Sequence, residues 1–569
     1  MTKTDSVAEP QSATDCYALD ILSALSATPD RVAVHWRDRE IRAGELARSV
    51  VDTVRTLRGL GVGPGTTVAV LVAANSPLTL TVRYATHLLG GAVIHVHGTN
   101  PGSTSYLLSP DEQVRLLLDA TALVLFTDAE NADRAAELAQ RAPGRFTVAQ
   151  AQDEDEDEDE DQDQDQARAQ AGPGTGFRPA AELVSELGEL PVRDPRQLAS
   201  ITFSSGSTGK PKGVCISTRV DDARRGRPAA PGTRLLVATP LAFVAGAIAD
   251  TVLLGDGTVV LHEDFDPVRV ARAIAEHRIN LTFMATPHVY RTMAAVRAEG
   301  TGVATLRTLI YGGVAAAPAR LEEATRVFGP VLVQVYGSTE AGGVSVLLPG
   351  GHDDPRLRST VGRLLPGVEV RIRDADSGAE LPVGETGELW VRSASLLDGY
   401  LGDPALTARV LRDGWLRTGD LGRLDEEGHL SVADRIADVV KVDGVKVYPT
   451  TVEREIATLP GIAQVAVYGV RDPDNLEHVH AAVVLKPDAR LSEDEIRAHV
   501  GAVLSAVHAP EETLFLDQLP LGASGKPDKR LLRELNPIIR ATPHSSSAPA
   551  DDYALATAER ALTESELTE

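Results

Sequence analysis

Cysteine is almost absent: Cys16 and Cys215 are the only two in 569 residues. A secreted scaffold held by disulfides would carry more, and two thiols this far apart cannot build a cysteine zinc site, so a reducing interior is expected. Also missing is any uninterrupted apolar run of about 18 residues, which excludes a membrane-spanning helix by length. The opening MTKTDSVAEP lacks a basic start followed by an apolar stretch, so no signal peptide is expected and the cytoplasm is the expected compartment. Positive charge is in deficit: 56 Lys and Arg face 81 Asp and Glu, for a formal net charge of −25. Such a chain repels phosphate, which excludes a general nucleic-acid binder. The remaining balance, 43% hydrophobic and 24% charged, is that of a globular protein too long for one ordinary domain.

Part of the acidity is local. Asp153–Asp161 is an unbroken run of nine acids, extended by Asp163 and Asp165, and removing those eleven from −25 leaves −14 for the rest. The low-complexity segment from about 151 to 175 cannot bury apolar surface, so it reads as a solvated insertion. Around it the pattern alternates. Ala43–Leu60 has helical apolar spacing, while Thr67–Val72, Ala92–Val96 and Leu123–Phe126 are short β-rich runs. Strands alternating with helices predict βαβ units and mostly parallel sheet. A Gly/Pro-rich, β-leaning region spans about 360 to 432 and includes Val368–Ile372 and Glu388–Val391. The last unit has strands at Val465–Val470 and His480–Leu485 and a helix over Ser492–Ala506, with Ser492 as cap and Glu495 completing a capping box.

The strongest local feature is Ile201-Thr202-Phe203-Ser204-Ser205-Gly206-Ser207-Thr208-Gly209-Lys210-Pro211-Lys212-Gly213. Glycines let backbone N–H groups turn inward as an anion nest, hydroxyls add donors, and lysine adds compact charge. A Walker A loop is excluded, because Gly206 and Gly209-Lys210 are too close and Pro211 follows. The segment resembles the phosphate loop of the adenylate-forming superfamily, which includes acyl-CoA synthetases, peptide-synthetase adenylation domains and luciferases.

Further motifs follow in that family's order, and together they cover about 200 to 530. Tyr336-Gly337-Ser338-Thr339-Glu340 offers an aromatic face, a tight glycine, two hydroxyls and a carboxylate. The resemblance implies that Tyr336 stacks on adenine, Thr339 contacts the α-phosphate and Glu340 holds Mg²⁺. Tyr311-Gly312-Gly313-Val314-Ala315 resembles the stretch that runs along the adenine and acid pocket. In Trp415-Leu416-Arg417-Thr418-Gly419-Asp420 the resemblance makes Asp420 the acceptor for ribose hydroxyls. In Asp434–Gly444 it gives Arg435 the ribose and phosphates, places the hinge at Ala437, and puts Lys441 and Gly444 on the face used for thioester formation. The usual hinge Lys or Asp is missing, although a hinge needs backbone freedom more than charge. Leu519–Arg530 resembles the C-terminal lysine loop, with Lys526 as the catalytic lysine.

One departure concerns the acid pocket. Pro240-Leu241-Ala242-Phe243-Val244-Ala245-Gly246 carries Phe243 where many acyl-CoA synthetases have His. No Asp lies between Pro240 and Gly246 to hold an amino acid's ammonium; Asp250 comes later. Phe243, Val314 and Ala315 are therefore expected to line an apolar acid pocket, with Phe203 and Met284 as further candidates.

The expected fold is mixed α/β. A large adenylation domain, 18–433, has βα-layered sheets and a β-rich subdomain; a small mobile α+β domain, 434–536, follows. Residues 1–17 are expected to be loose and 537–569 disordered. The expected activity is ATP- and Mg²⁺-dependent activation of a small-molecule acid as acyl-AMP, then transfer to a thiol, either CoA or carrier-protein phosphopantetheine. The alternatives are an adenylating ligase that loads a carrier protein, adenylation of a non-carboxylate oxyacid with an amine acceptor, and a silent nucleotide-binding relative. Lys526, Thr339, Arg435 and Lys212 are the expected catalytic groups. Ser204–Gly209, Lys212, Gly312, Gly313, Tyr336–Thr339, Asp420, Arg435 and Lys526 are the expected nucleotide contacts.

Overall fold

The computed structural model describes residues 16–96, 108–151, 180–204, 212–442, 445–472, 476–521 and 527–541. The acidic run, Ser205–Gly209, Gly444 and Lys526 lie outside the described residues.

A seven-stranded sheet is built around Thr67–Leu71, which runs parallel to Ala92–His95 on one side and Ala122–Thr127 on the other. All five of its side chains are buried, and they alternate between two cores. Val68 and Val70 pack into one, Ala69 and Leu71 into the other. Burial on both faces explains why this strand reads as continuously apolar. Thr147–Gln150 is the far edge. Towards the other edge come Leu198–Ser204, parallel to its neighbour, then Lys212–Ser217 and Gly399–Tyr400, both antiparallel.

A nine-stranded sheet faces it across the first of those cores. Six of its strands run parallel, in the order Leu332–Ser338, Thr308–Gly312, Leu281–Ala285, Arg234–Val237, Thr258–Leu261 and Val32–Trp36. Their carboxyl ends share one edge, the place where open α/β sheets bind ligands. Helices Tyr17–Ala27, Ala43–Gly59, Leu78–Leu88 and Val244–Leu254 fill the shared core.

The β-leaning region forms a five-stranded sheet from Glu369–Arg373, Gly387–Arg392, Leu411–Arg412, Trp415–Leu424 and Leu430–Arg435. The C-terminal part is α+β. It has a hairpin, Val440–Val442 with Val445–Val447, and a three-stranded sheet of Ile462–Arg471, Glu477–Leu485 and Glu512–Phe515. The capping box is present: the Glu495 N–H donates to Ser492 Oγ at 3.2 Å, and the Ser492 N–H to Glu495 Oε2 at 2.7 Å. Among the described residues, no helix is long and apolar enough to cross a membrane.

Three segment boundaries differ from expectation. Cys16 and Tyr17 are not loose but buried, because Tyr17 O–H donates to His87 Nδ1 at 2.8 Å and the helix it begins packs inward. The strand Leu430–Arg435 runs across the expected domain boundary, and the last helix, Lys529–Ala541, continues through Pro537.

Candidate active site

Tyr336 is far along the chain from Asp420 and Arg435, and the three come together in space. The Tyr336 O–H donates to Asp420 Oδ2 at 2.7 Å, and Arg435 Nε lies 3.0 Å from Asp420 Oδ1. Asp420 and Arg435 are register partners on adjacent strands, which fixes their spacing. The backbone N–H of Asp420 donates to Thr418 Oγ1 at 3.0 Å, and Thr418 in turn donates to the Leu389 carbonyl at 2.8 Å. Burial, then the Asp420 carboxylate, hold the Tyr336 phenol well above its ordinary pKa. The Asp420 carboxylate likewise raises Arg435. Each carboxylate oxygen keeps acceptor capacity beyond these contacts, as a sugar diol requires.

Thr339 and Glu340 follow the end of the strand Leu332–Ser338, in a turn where the Ala341 N–H donates to Ser338 Oγ at 3.1 Å. Tyr400 O–H donates to Glu340 Oε1 at 3.0 Å. Gly312 ends the neighbouring strand, and a Cβ there would lie 2.5 Å from the Val335 carbonyl oxygen, so only glycine lets the two strands close. Gly313, Val314 and Ala315 continue at the same edge, with Val314 half-buried and its carbonyl accepting from Thr286 Oγ1 at 2.9 Å. Lys212 opens its strand opposite Ser204.

The pocket candidates separate. Phe243 caps the helix Val244–Leu254 and is exposed, as is Val244 beside it. Met284 is plain core. Asp250 is already committed within the protein: it is buried and accepts from Arg83 Nη2 at 2.5 Å, Tyr84 O–H at 2.6 Å and Arg225 Nη1 at 2.8 Å. Cys215 is half-buried, and burial pushes its thiol up to about 11.

On the C-terminal side, Ala437 is exposed in the turn Ile436–Asp438. Lys441 is exposed, and its N–H donates to Glu477 Oε2 at 2.7 Å. Asp434 is buried and accepts from both the N–H and the hydroxyl of Thr450, each at 2.8 Å.

Three residues that sequence reasoning passed over belong to this edge. Asn75 Nδ2 donates to the His262 carbonyl at 2.8 Å, and its Oδ1 accepts from the Leu241 N–H at 2.9 Å, which staples the loop before Phe243. Arg224 and Tyr400 hold the Thr339–Glu340 turn. Their partners are backbone carbonyls or residues far along the chain, so no local signal marks them.

The donor set suits a hard cation carried by a nucleotide. Glu340 brings one carboxylate, and no cluster of three or more His, Cys, Asp or Glu that could hold a metal exists among the described residues. Mg²⁺ is commonly held by one or two carboxylates together with substrate phosphates. Bound there, it would neutralise phosphate charge.

Residues 23–401 match the family model described as AMP-binding enzyme. The chain belongs to that family. Residues 451–526 match its companion, the AMP-binding enzyme C-terminal domain. The chain is similar to the medium/long-chain-fatty-acid–CoA ligase FadD8 of Mycobacterium tuberculosis, at 31% identity over 539 residues, 90% of this chain and 89% of that one. It is similar to feruloyl-CoA synthase of an Amycolatopsis species, at 32% over 513 residues, 88% and 94% of the two chains. The solved structure of the amide bond synthetase McbA from Marinactinospora thermotolerans matches with a TM-score of 0.75 and 32% identity, covering 91% of this chain and 99% of that one. This protein is thus an AMP-forming ligase with the large N-terminal and small C-terminal parts of the adenylate-forming fold.

Proposed function

We propose that this family member activates a carboxylic acid with Mg-ATP and passes the acyl group to the thiol of CoA. In the first step a carboxylate oxygen attacks the α-phosphorus, the bond to the β-phosphate oxygen breaks, and pyrophosphate leaves. In the second the thiol attacks the acyl carbon, AMP leaves, and the thiol proton is released. The observation that carries the reading is the Tyr336–Asp420–Arg435 chain beside the Thr339–Glu340 turn, at the carboxyl edge of the parallel strands. Tyr336 covers the adenine, Asp420 takes the ribose, and Arg435, Lys212 and Thr339 meet the phosphates. Lys526 bridges acid and α-phosphate oxygens as charge develops, so catalysis is positioning and electrostatics. Residues 434–536 then turn about Ala437 to bring Lys441 and Gly444 to the adenylate. Phe243, Val314 and Ala315 border the acid. We place the enzyme in the cytoplasm, where ATP and CoA are supplied.

The names of two relatives, a fatty-acid–CoA ligase and a feruloyl-CoA synthase, support a carboxylic acid and CoA. The likeness to an amide bond synthetase favours one further reading, in which an amine takes the acyl group. Product analysis separates them. Enzyme, Mg-ATP and a mixture of aliphatic and aryl acids are supplied with CoA, with a phosphopantetheinylated carrier protein, or with a simple amine. AMP with an acyl-CoA by mass spectrometry is the expected result, whereas amide formed without any thioester would replace the CoA reading.

A further inference from the structure

Arg224 ends the helix Thr218–Arg224, which continues directly from the strand carrying Lys212. Its guanidinium is spent on backbone carbonyls. Nη2 donates to the Thr339 carbonyl at 2.8 Å and to the Ser395 carbonyl at 2.8 Å, and Nε donates to Ser395 again at 3.0 Å. The Glu340 carbonyl lies 3.5 Å from Nη2 and accepts the Leu397 N–H at 2.8 Å. One side chain therefore joins the hairpin next to the phosphate loop, the Thr339–Glu340 turn and the Ser395–Leu397 segment. Burial lowers the pKa of Arg224, opposed by the carboxylates of Asp221, Glu340 and Asp398, and a guanidinium keeps its charge regardless. Gly342 shows how closely the turn fits. Its φ is +69°, and a Cβ there would lie 2.8 Å from Ser395 Cβ and 3.4 Å from Arg224 Nε.

A second tie comes from the other side. Tyr400, whose O–H reaches Glu340, lies on a short strand that pairs Gly399 with Cys215 and Tyr400 with Val214, just beyond Lys212. The Glu340 backbone and its carboxylate are thus both referred to the strand that bears Lys212.

We infer that Arg224 is a positioning residue that holds Thr339 and Glu340 at a fixed place relative to the phosphate-loop hairpin, with Tyr400 orienting the Glu340 carboxylate toward the metal of Mg-ATP. This rests on the proposed reading of Thr339 as an α-phosphate contact and Glu340 as the metal contact. Arg224 need touch neither ATP nor the metal.

The test is ATP binding by calorimetry, with and without Mg²⁺, alongside melting temperatures. Without Mg²⁺, Arg224→Gln should bind ATP only slightly more weakly than the wild type, because Tyr336, Asp420 and Arg435 are untouched and only the Thr339 contact is loosened. With Mg²⁺, its gain in affinity should shrink about tenfold, the scale of one lost hydrogen bond to a charged group. Arg224→Lys should recover part of the gain, and Tyr400→Phe should lose part of it. An Arg224→Gln protein that melts earlier yet keeps the full Mg²⁺ gain overturns the inference, since Arg224 would then be only a strut. If Arg224→Gln fails to fold, a full gain in both Arg224→Lys and Tyr400→Phe overturns it equally. Glu340→Gln separates the two layers: a full gain in that variant removes the metal reading and the inference together. Loss in Glu340→Gln with none in the Arg224 and Tyr400 variants removes the inference alone.

Discussion

Asp434 should make the joint between the two parts of the molecule sensitive to pH. It lies in the strand Leu430–Arg435, yet its carboxylate caps the helix Pro449–Ile456 through the N–H and hydroxyl of Thr450. The groups around it are Lys529, whose Nζ is 3.0 Å from Glu453, and Arg454 on the same helix as Glu453. Burial pushes the Asp434 carboxyl up from 3.8 to about 6; Lys529 opposes the rise and Glu453 adds to it. A folded pKa above the unfolded value means that the folded state holds the proton more tightly. The stabilisation is complete below about pH 4 and is lost as pH rises through 6. At ~1.36 kcal/mol per pKa unit, the loss is about 3 kcal/mol. Asp434→Asn keeps the size and one acceptor but cannot titrate. Thermal melting of both proteins from pH 4.5 to 7.5 isolates this group, because the other titrating residues cancel in the difference. The wild type should weaken relative to the variant as pH rises, mostly between pH 5 and 6.5. A difference that stays flat, or a wild type that strengthens relative to the variant, refutes the reasoning.

Other expectations follow from the same geometry. Asp420→Asn should weaken ATP binding about 10- to 100-fold by calorimetry, the range for losing a charged hydrogen-bond partner; unchanged affinity would remove Asp420 from the ribose site. Asp250→Ala leaves Arg83 and Arg225 without their shared carboxylate and should cost about 3–5 kcal/mol in denaturant unfolding. The preference between simple acids and amino acids should stay the same in that variant, and a switch in preference would show that Asp250 reads the substrate after all. Lys526→Ala should cripple adenylate formation while sparing thioester formation from supplied acyl-AMP. Equal loss of both steps would contradict the use of opposite faces of the C-terminal part in the two half-reactions.

Much of the fold was legible because burial leaves a pattern in the chain. Thr67–Leu71 is apolar throughout because both of its faces are covered, and Ser492 with Glu495 announces a helix start by chemistry alone. Tyr336, Asp420 and Arg435 were legible through motif resemblance, and the structure brings Tyr336 and Arg435 each within hydrogen-bonding distance of Asp420. Arg224, Tyr400 and Asn75 were not. Arg224 binds the carbonyl of a residue 115 positions away, and a carbonyl has no residue type to betray it. Asp250 comes soon after Pro240–Gly246 in the chain, and nothing local shows that its partners Arg83 and Tyr84 come from a helix more than 160 residues earlier. The buried start at Cys16 and Tyr17 was hidden for the same reason, since its partner His87 lies 70 residues on.

The most direct test of the central claim is acid-dependent exchange of labelled pyrophosphate into ATP, run with aliphatic, aromatic and amino acids and small inorganic oxyacids. The account predicts exchange that requires Mg²⁺, depends on a carboxylic acid, and collapses in Lys526→Ala. Exchange supported only by an inorganic oxyacid, or none with any acid in protein shown to bind ATP, would contradict it.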